Sequence, residues 1–204
     1  MSVETLLEAL GVAPGALWTP EGLPVVVPTA TRDAHLLRAF GAATVLGRGA
    51  EVGVERAHFT RRICDALPEV TVYAVDAWQP YAGYRDHVSR EKLDGFFAEA
   101  QARVAGTRAQ LVRGFSVDVA ATIPDGFLDW VYLDANHTLP AVIADLAAWV
   151  PKVRSGGLVA GHDFGRRQVG HVRQAVEAWT EAYGIAPWFV LAGDRSPSFC
   201  WVQP

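Results

Sequence analysis

The sequence has neither a long basic run nor a long hydrophobic run, and each absence removes a class of function. Its formal net charge is −4, and the nearest thing to a basic patch is the single pair Arg166-Arg167. A surface that binds a nucleic-acid backbone concentrates Lys and Arg. A membrane-spanning helix needs about 18 consecutive apolar residues, and no such stretch is present. We therefore expect neither a nucleic-acid partner nor a membrane partner.

Two further features that the sequence lacks concern its compartment. The N-terminal residues MSVETLLEAL carry acids where a signal peptide carries bases, and they contain no adequate apolar core. The only two cysteines, Cys64 and Cys200, belong to no CxxC pair, so neither a zinc site nor a redox site is indicated. Both cysteines lie in apolar surroundings, which favours buried, reduced thiols. These observations predict a cytoplasmic protein.

The composition that remains is that of a globular protein. Of the 204 residues, 50% are hydrophobic and 20% are charged, and this length suits one α/β domain with a short extra segment. Residues 1–43 predict an N-terminal helical segment, in which Ser2 caps a first short helix and a second helix runs from about 31 to 40. The proline-rich stretch 14–28 separates the two helices. Residues 44–204 then form the main domain.

From Gly49 onward, short apolar runs alternate with helical stretches. The run LDWVYL at 128–133 is typical of a buried strand, and Leu139, Val142 and Leu146 recur at helical spacing. This alternation predicts an α/β fold with a Rossmann-like, seven-stranded, mostly parallel sheet and helices on both faces. A short turn joins the last two runs, so we expect a C-terminal antiparallel hairpin. The seven predicted strands are 50–54, 70–75, 109–112, 128–133, 158–160, 188–191 and 199–202.

The turn after the first predicted strand lacks the glycines that a dinucleotide requires. A GxGxxG turn lets pyrophosphate approach bare backbone, but counting from Gly53 the next two glycines are replaced by Glu55 and His58. A carboxylate would repel the pyrophosphate, which weakens the alternative of an NAD-dependent oxidoreductase on a related fold. A competing register, Gly47-x-Gly49-x-x-x-Gly53, leaves only 43–46 as a preceding strand and no clear helix start.

The same turn suits a cofactor with a zwitterionic amino-acid end and no phosphates. Gly53 permits close backbone approach, and Glu51 just before it could reach an ammonium group or organise water around it. Asp76 ends the second predicted strand, 23 residues after Gly53. From that position a carboxylate can accept hydrogen bonds from both hydroxyls of a ribose. The alternative role of Asp76 is to cap a loop.

Taken in order, the segments AEVGVERAHFT, VYAVDAW, LDWVYLDANH and RSGGLVAGHDF resemble the class I S-adenosylmethionine-dependent methyltransferases. The resemblance covers about 45–204 and is strongest to a small bacterial branch with Asp-x-x-His after strand 4 and His-Asp after strand 5. One departure is Ala57, which stands where the family usually has its second loop glycine. The resemblance implies S-adenosylmethionine as cofactor and S-adenosylhomocysteine as product.

By this resemblance, the residues that follow the strands form the cofactor site. Glu51 and Gly53 would line the methionine end, Asp76 would hold the ribose, and the turn Gly114-Phe115-Ser116 would flank the adenine. Phe115 could instead belong to the core, and Trp78 could either stack on adenine or simply pack. The full set of expected cofactor-binding residues is Glu51, Val52, Gly53, Asp76, Ala77, Trp78, Phe115, Ser116 and Asp134.

Methyl transfer to a hydroxyl group requires either a base or a metal ion near the acceptor. Asp134, His137 and Asp163 follow neighbouring strands and are the candidate catalytic residues, with the neutral imidazole as the commonest base near pH 7. Asp134 and Asp163 could also hold Mg²⁺, although Phe164 stands where related metal-dependent enzymes carry a further acid or Asn. We expect His162 to point away from Asp163 along a continuing strand, so that only one of the two faces the substrate, and the family pattern favours Asp163.

The acceptor is predicted to be a small hydroxylated metabolite. Tyr81, Tyr84 and Arg85 could form a lid or an acceptor pocket, and Arg166-Arg167 could grip an anionic acceptor or be a solvated loop. A third hypothesis, a non-catalytic protein that kept the fold, is opposed by the cofactor residues that are present. A homodimer is compatible with the seven tryptophans and the helical segment at the N-terminus.

Overall fold

The computed structural model describes residues 1–12, 23–28, 32–81, 89–165, 171–193 and 195–204, and all structural statements concern these residues. The helices are α1 (Val3–Ala9), α2 (Arg32–Ala43), α3 (His58–Ala66), α4 (Arg90–Val104), α5 (Ser116–Ala121), α6 (Leu139–Trp149) and α7 (Val172–Ala182). The strands are β1 (Val25–Val27), β2 (Arg48–Val52), β3 (Thr71–Asp76), β4 (Ala109–Arg113), β5 (Leu128–Leu133), β6 (Val153–Gly161), β7 (Phe189–Leu191) and β8 (Ser198–Val202). No helix among these residues is long and apolar enough to cross a membrane.

The eight strands form a single sheet in the order β1-β7-β8-β6-β5-β2-β3-β4. All neighbouring pairs are parallel except those of β8, which runs antiparallel to both β6 and β7. The Rossmann-like, mostly parallel sheet and the C-terminal antiparallel hairpin are therefore confirmed. Parallel neighbours bring the carboxyl ends of β2 to β6 to one edge of the sheet, where ligands bind in open α/β sheets.

The strand count of seven is wrong, because the sheet has an eighth strand. This strand, β1, pairs in parallel with β7, so that Val25 lies opposite Phe189 and Val27 opposite Leu191. Its VVV run is flanked by Pro24 and Pro28 and lies in the proline-rich stretch 14–28, which the sequence predicts only as a separator of two helices. A strand at the edge of a sheet tolerates flanking prolines, since one side of its backbone needs no partner. The N-terminal segment therefore contributes a strand as well as the helices α1 and α2.

The competing glycine register is also wrong, because Gly49 lies inside β2. A Cβ atom at Gly49 would stand 2.1 Å from the indole of Trp130 on the neighbouring strand. Glycine at this position therefore makes room for a tryptophan in the core. Gly47 has a φ of +72° in the turn before the strand, at the end of β2 opposite to the ligand-binding edge.

Alternate residues of β5 point to opposite faces of the sheet and divide the core into two layers. Val131 and Leu133 pack with α5, α6 and α7, whereas Trp130 and Tyr132 pack with α1, α2 and α3. All six residues of β5 are buried, as expected for a central strand that is covered on both faces. This rigid strand carries the predicted acid Asp134 directly after its carboxyl end.

A buried carboxylate fixes the opposite end of the same strand. Asp129 is fully buried and accepts hydrogen bonds from the backbone N–H groups of Leu46 (2.8 Å) and Arg48 (3.2 Å). It also accepts a bond of 2.8 Å from Nε of Arg154. Burial opposes ionisation of Asp129, but Arg154 and the backbone N–H groups outweigh it and lower the pKa of the carboxyl. The contacts join the start of β2, β5 and β6.

We predict that Asp129→Asn lowers the free energy of unfolding by about 3 kcal/mol at pH 7, because an amide turns a donor toward other donors in a buried site. The folded-state pKa of Asp129 is lowered. Its stabilisation is therefore complete above the unfolded value of about 3.9 and is lost as the pH falls through the folded pKa. Chemical denaturation from pH 7 to pH 3 should show the difference from wild type shrink below about pH 4.

The matched control is Asp125→Asn. Asp125 is largely exposed and pairs with Nζ of Lys152 at 2.7 Å, so its loss should cost less than about 1 kcal/mol. Equal losses of stability in the two variants would show that the Asp129 contacts contribute no more than a surface ion pair.

Candidate active site

A cavity of about 550 Å³ opens at the carboxyl ends of β2, β3, β4 and β5. Its size is typical of small-molecule sites. All nine of the predicted cofactor residues line it, together with His58, Tyr81, Ala141, Ala144 and Asp145. Those predicted residues are Glu51, Val52, Gly53, Asp76, Ala77, Trp78, Phe115, Ser116 and Asp134. Residues from four separate strand ends therefore meet in one space.

At the end of β2, the packing of the backbone requires a glycine at position 53. It has a φ of +94°, and a Cβ there would stand 2.1 Å from the backbone oxygen of Asp134 and 2.7 Å from Cα of Ala135. The sequence interpretation assigned the glycine to close approach by a cofactor. The structure adds a second reason for it, which is that the chain leaving β5 passes directly against its Cα atom.

The loop that follows Gly53 adopts left-handed backbone at residues other than glycine. Glu55 has a φ of +50° and Ala57 a φ of +58°, and Ala57 is fully buried at the start of α3. A left-handed alanine costs roughly 1–2 kcal/mol, which glycine would not cost. The glycine that the related family usually carries here suits this conformation, and in this chain the packing of the loop holds an alanine in it.

Asp76 holds the loop through its carboxylate. Its Oδ2 accepts hydrogen bonds from the N–H groups of Val54 (3.0 Å) and Glu55 (2.9 Å), and its Oδ1 accepts one from Trp78 (3.0 Å). The capping role that the sequence left open is therefore present. Asp76 also lines the cavity. A carboxylate has about four lone-pair sites, so three bonds leave it room for a further donor.

The aromatic residues of the site differ in their exposure. Trp78 is 1% exposed, packs on Phe97 with ring centroids 4.8 Å apart, and donates from Nε1 to the backbone oxygen of Glu55 at 2.7 Å. Its ring is packed against Phe97, and the residue also lines the cavity. Phe115 is 40% exposed and meets Tyr81 edge to face at 5.6 Å, so it does not belong to the core.

Glu51 is buried at the end of β2 and lines the cavity. It accepts a short hydrogen bond of 2.5 Å from Oγ1 of Thr60 on α3. A buried carboxylate is stable when donors surround it, and a ligand ammonium would be a further donor. Its position is consistent with the predicted contact to the amino-acid end of a cofactor.

Two carboxylates and two imidazoles meet beside the cavity. Nε2 of His137 lies 3.4 Å from Oδ1 of Asp134 and 3.3 Å from Oδ2 of Asp163. Nδ1 of His162 lies 3.4 Å from Oδ2 of Asp134 and 3.7 Å from Oδ1 of Asp163. Burial of Asp134 opposes its ionisation, but the two imidazoles outweigh it and lower the pKa of the carboxyl. Each imidazole is therefore placed between two carboxylates.

His162 does not point away from Asp163, so that expectation is wrong. β6 ends at Gly161, and Asp163 has a left-handed φ of +57°, which turns its side chain to the same side as that of His162. Asp134 and His137 line the cavity, whereas Asp163 is buried behind them. Asp163 therefore contacts His137 without lining the cavity itself.

Asp134, His162 and Asp163 also form a group whose ligand atoms lie within 4.8 Å of one another, which is the spacing of a metal site. Two carboxylate oxygens and one imidazole nitrogen suit Mn²⁺, Fe²⁺ or Zn²⁺ better than Mg²⁺, which prefers oxygen ligands alone. The sequence interpretation named the two acids but not His162. The residues therefore fit a divalent cation, although Mg²⁺ is the poorer match.

A third buried acid, Asp145 on α6, escaped the sequence interpretation altogether. It lies among Val142, Leu146 and Trp149 at helical spacing, where the pattern indicated only an apolar face. The available signal was a charged residue on an otherwise apolar helix face, which indicates a buried acid. Tyr84, Arg85, Arg166 and Arg167, the suggested lid and acceptor residues, lie outside the described part of the chain.

Residues 50–164, more than half of the chain, match the model of a family described as a methyltransferase domain. The chain belongs to this methyltransferase family. The match begins within β2 and ends one residue after Asp163, so it contains every residue predicted for the site. No protein of curated function is significantly similar in sequence.

Solved structures share the fold of this methyltransferase domain. The O-methyltransferase NovP is 21% identical, covers 82% of this chain and 76% of its own, and has a TM-score of 0.59. The cofactor-bound protein Rv0187 from MTB is 16% identical, with coverages of 97% and 88% and a TM-score of 0.62. A SAM dependent methyltransferase from Aquifex aeolicus is 13% identical, with coverages of 86% and 91% and a TM-score of 0.59.

We predict that Gly53→Ala lowers the free energy of unfolding of the methyltransferase domain by about 3 kcal/mol or more. The added Cβ meets backbone atoms that cannot move aside, and the φ is unfavourable for alanine. Gly95→Ala in α4 is the control, because a Cβ there meets nothing within 4 Å and should stabilise the helix by about 0.5–1 kcal/mol. Thermal and urea unfolding measure both, and a Gly53→Ala protein as stable as wild type would contradict the prediction.

Proposed function

We propose that the chain is an S-adenosylmethionine-dependent methyltransferase that O-methylates a small hydroxylated metabolite. The observation that carries this proposal is the arrangement of one cavity. Glu51 and Asp76 line it over the central strands, and the pair Asp134 and His137 lies at its β5 end. Membership of the methyltransferase family supports the type of reaction.

The cofactor fits the polarity of the cavity. Its acids Glu51, Asp76 and Asp134 would accept hydrogen bonds from an ammonium group and from ribose hydroxyls, and the positive sulfonium would gain from nearby carboxylates. A pyrophosphate would be repelled by the same groups. NAD-dependent oxidation is therefore the weaker alternative, because the site is acidic and because its turn lacks two of the glycines that a dinucleotide requires.

In the proposed reaction, the acceptor oxygen attacks the methyl carbon as the bond from that carbon to sulfur breaks, and S-adenosylhomocysteine leaves. The acceptor proton goes to His137. Asp134 and Asp163 both lie at its Nε2, which favours the tautomer with the proton on Nε2 and leaves Nδ1 as the basic nitrogen. The carboxylates then stabilise the imidazolium, as the carboxylate does in other catalytic pairs of a histidine and an acid.

A divalent cation is the second candidate, favoured by the spacing of Asp134, His162 and Asp163. Bound there, such an ion would lower the pKa of an acceptor hydroxyl. The two imidazoles that already lie against both carboxylates lead us to prefer the histidine base. A cytoplasmic location and a homodimer complete the proposal as predictions from the sequence.

We predict that the wild-type protein binds S-adenosylhomocysteine in calorimetric titration and that Asp76→Ala weakens binding at least about tenfold, through lost hydrogen bonds to the ribose. Because Asp76 also caps a loop, a direct contact needs a second ligand. The 2′-deoxy analogue should bind wild type more weakly than S-adenosylhomocysteine, but the variant should hardly distinguish the two.

The outcomes separate two claims. No binding by wild type would contradict the proposed cofactor. Unchanged binding by Asp76→Ala, or an undiminished preference for the ribose hydroxyl in that variant, would contradict the role of Asp76 alone. Asp118→Ala on the exposed side of α5 is the control for loss of one acid.

We predict that chelators leave methyl transfer unchanged and that His137→Ala lowers its rate by about 10² to 10⁴, the usual contribution of a general base. Titration with Mn²⁺ should show no binding at micromolar concentrations. Micromolar binding that Asp163→Asn abolishes, together with loss of activity in chelator, would replace the histidine base with the cation.

A further inference from the structure

A second cavity, much smaller than the first, lies beside the two imidazoles. Its wall is partly apolar, and four polar residues complete it, namely Asn136, His137, Asp145 and His162. The space open to the centre of a water molecule is about 10 Å³, which is room for about one water. The cavity is therefore too small for a substrate, but it has the size and the polar lining of an internal water site.

One side of this small cavity is the carboxyl of Asp145, which is only 7% exposed. Its Oδ1 accepts a hydrogen bond of 2.5 Å from Oγ of Ser116, the first residue of α5. Ser116 is the one hydrogen-bond donor that the described chain offers to Asp145. Burial raises the pKa of this carboxyl to about 6, an effect that the bond from Ser116 only partly offsets. A buried carboxyl with a single partner has lone pairs left for a further donor.

Another side of the small cavity is the ring of His162, whose two nitrogens have different surroundings. Nδ1 lies 3.4 Å from Oδ2 of Asp134 and 3.7 Å from Oδ1 of Asp163. Neither of these acids lines the small cavity, so the part of the ring that does line it is the part turned away from them, which carries Nε2. Within the described chain, no hydrogen bond reaches Nε2. A largely buried ring nitrogen requires a partner, as the carboxyl of Asp145 does.

The other two polar residues of the small cavity are already engaged. Oδ1 of Asn136 accepts a backbone N–H bond at 2.9 Å, and its Nδ2 donates to the hydroxyl of Tyr81 at 3.4 Å. Nε2 of His137 faces the two carboxylates, and its Nδ1 is the proposed base. Asp145 and His162 are therefore the two groups that still require a partner in this cavity.

We propose that the small cavity binds one ordered water, which joins the carboxyl of Asp145 to Nε2 of His162 and makes Asp145 a positioning residue for His137. A water has two donors and two acceptors, so it can bind an acid and a ring nitrogen at once. Anchored at Nε2, the His162 ring keeps Nδ1 against Asp134 and Asp163. These carboxylates also face His137, so the water fixes the proposed base through them. The effect on methyl transfer rests on the proposed function, whereas the water site does not.

NMR of the full chain with isotope-labelled histidine tests the water site. We expect a cross-peak between a bound water and the ring protons of His162 in wild type and in Asp145→Asn, whose amide still offers the water a polar partner. Asp145→Leu, which is similar in size and offers none, should lose the cross-peak. The ring signals of His162 and His137 should then both move, because the carboxylates between them lose their anchor, whereas those of His35 on α2 should stay.

A second variant removes the water without touching Asp145. Val142 lines the small cavity three residues before Asp145 on α6, so Val142→Ile places a methylene into it. This variant should lose the cross-peak and move the same ring signals, which keeps the proposal testable if Asp145→Leu fails to fold. Val176→Ile is the matched control, because Val176 lies in the same core layer but lines neither cavity. It should keep the cross-peak, and circular dichroism melts establish the folding of each variant.

A wild-type spectrum without a bound water beside His162 would overturn the proposal. A cross-peak that survives in folded Asp145→Leu would also overturn it, because Asp145 would then not hold the water. Loss of the cross-peak with unmoved His137 signals would overturn the positioning role and leave the water site standing. No binding of S-adenosylhomocysteine by a protein that holds the water would contradict the proposed function and not the water site, so the two failures are distinct.

Discussion

The site depends on the passage of the chain after β5 directly against Gly53 at the end of β2. The N–H of Asp134 donates to the backbone oxygen of Val52 at 2.8 Å, and the N–H of Gly53 donates to that of Val75 at 2.9 Å. These bonds extend the parallel ladder past the formal ends of the strands. They place Asp134 beside the carboxyl ends of β2 and β3, which carry Glu51 and Asp76. The distance between the proposed cofactor contacts and the proposed base is thus set by backbone pairing, which is more precise than a contact between flexible side chains.

Strained backbone is concentrated at the same edge of the sheet. Among the described residues, the non-glycine positions with positive φ are Glu55, Ala57, Trp78 and Asp163, and each follows the carboxyl end of β2, β3 or β6. Such conformations cost about 1–3 kcal/mol each and persist where the surroundings determine them. The buried ion pair of Asp129 and Arg154 lies at the opposite end of the sheet. The left-handed residues therefore lie at the carboxyl ends of the strands, and this stabilising ion pair lies at their other ends.

The alternation of apolar runs predicted most of the sheet, and the residues after each run predicted most of the cavity, because both follow from periodicity and from the geometry of parallel strands. Three features escaped. The strand β1 is short and flanked by prolines, so it has no periodicity to detect. The inward turn of His162 depends on the left-handed backbone of Asp163. Glycine is the usual sequence signal for that conformation, and this position carries an aspartate instead. The position of Asp145 could not be predicted, because the sequence does not show which face of α6 lies over the turn at Ser116.

The place of β8 in the sheet also bears on how the protein is made. It is the last strand in chain order, yet it lies between β6 and β7, and β1 joins the sheet only through β7. During synthesis, β1 and β7 therefore have no connection to the growing sheet until Ser198–Val202 has left the ribosome. Until then β6 presents a free edge, which is where unwanted strand pairing between chains begins. Assembly of the N-terminal strand is thereby deferred until β8 has been made.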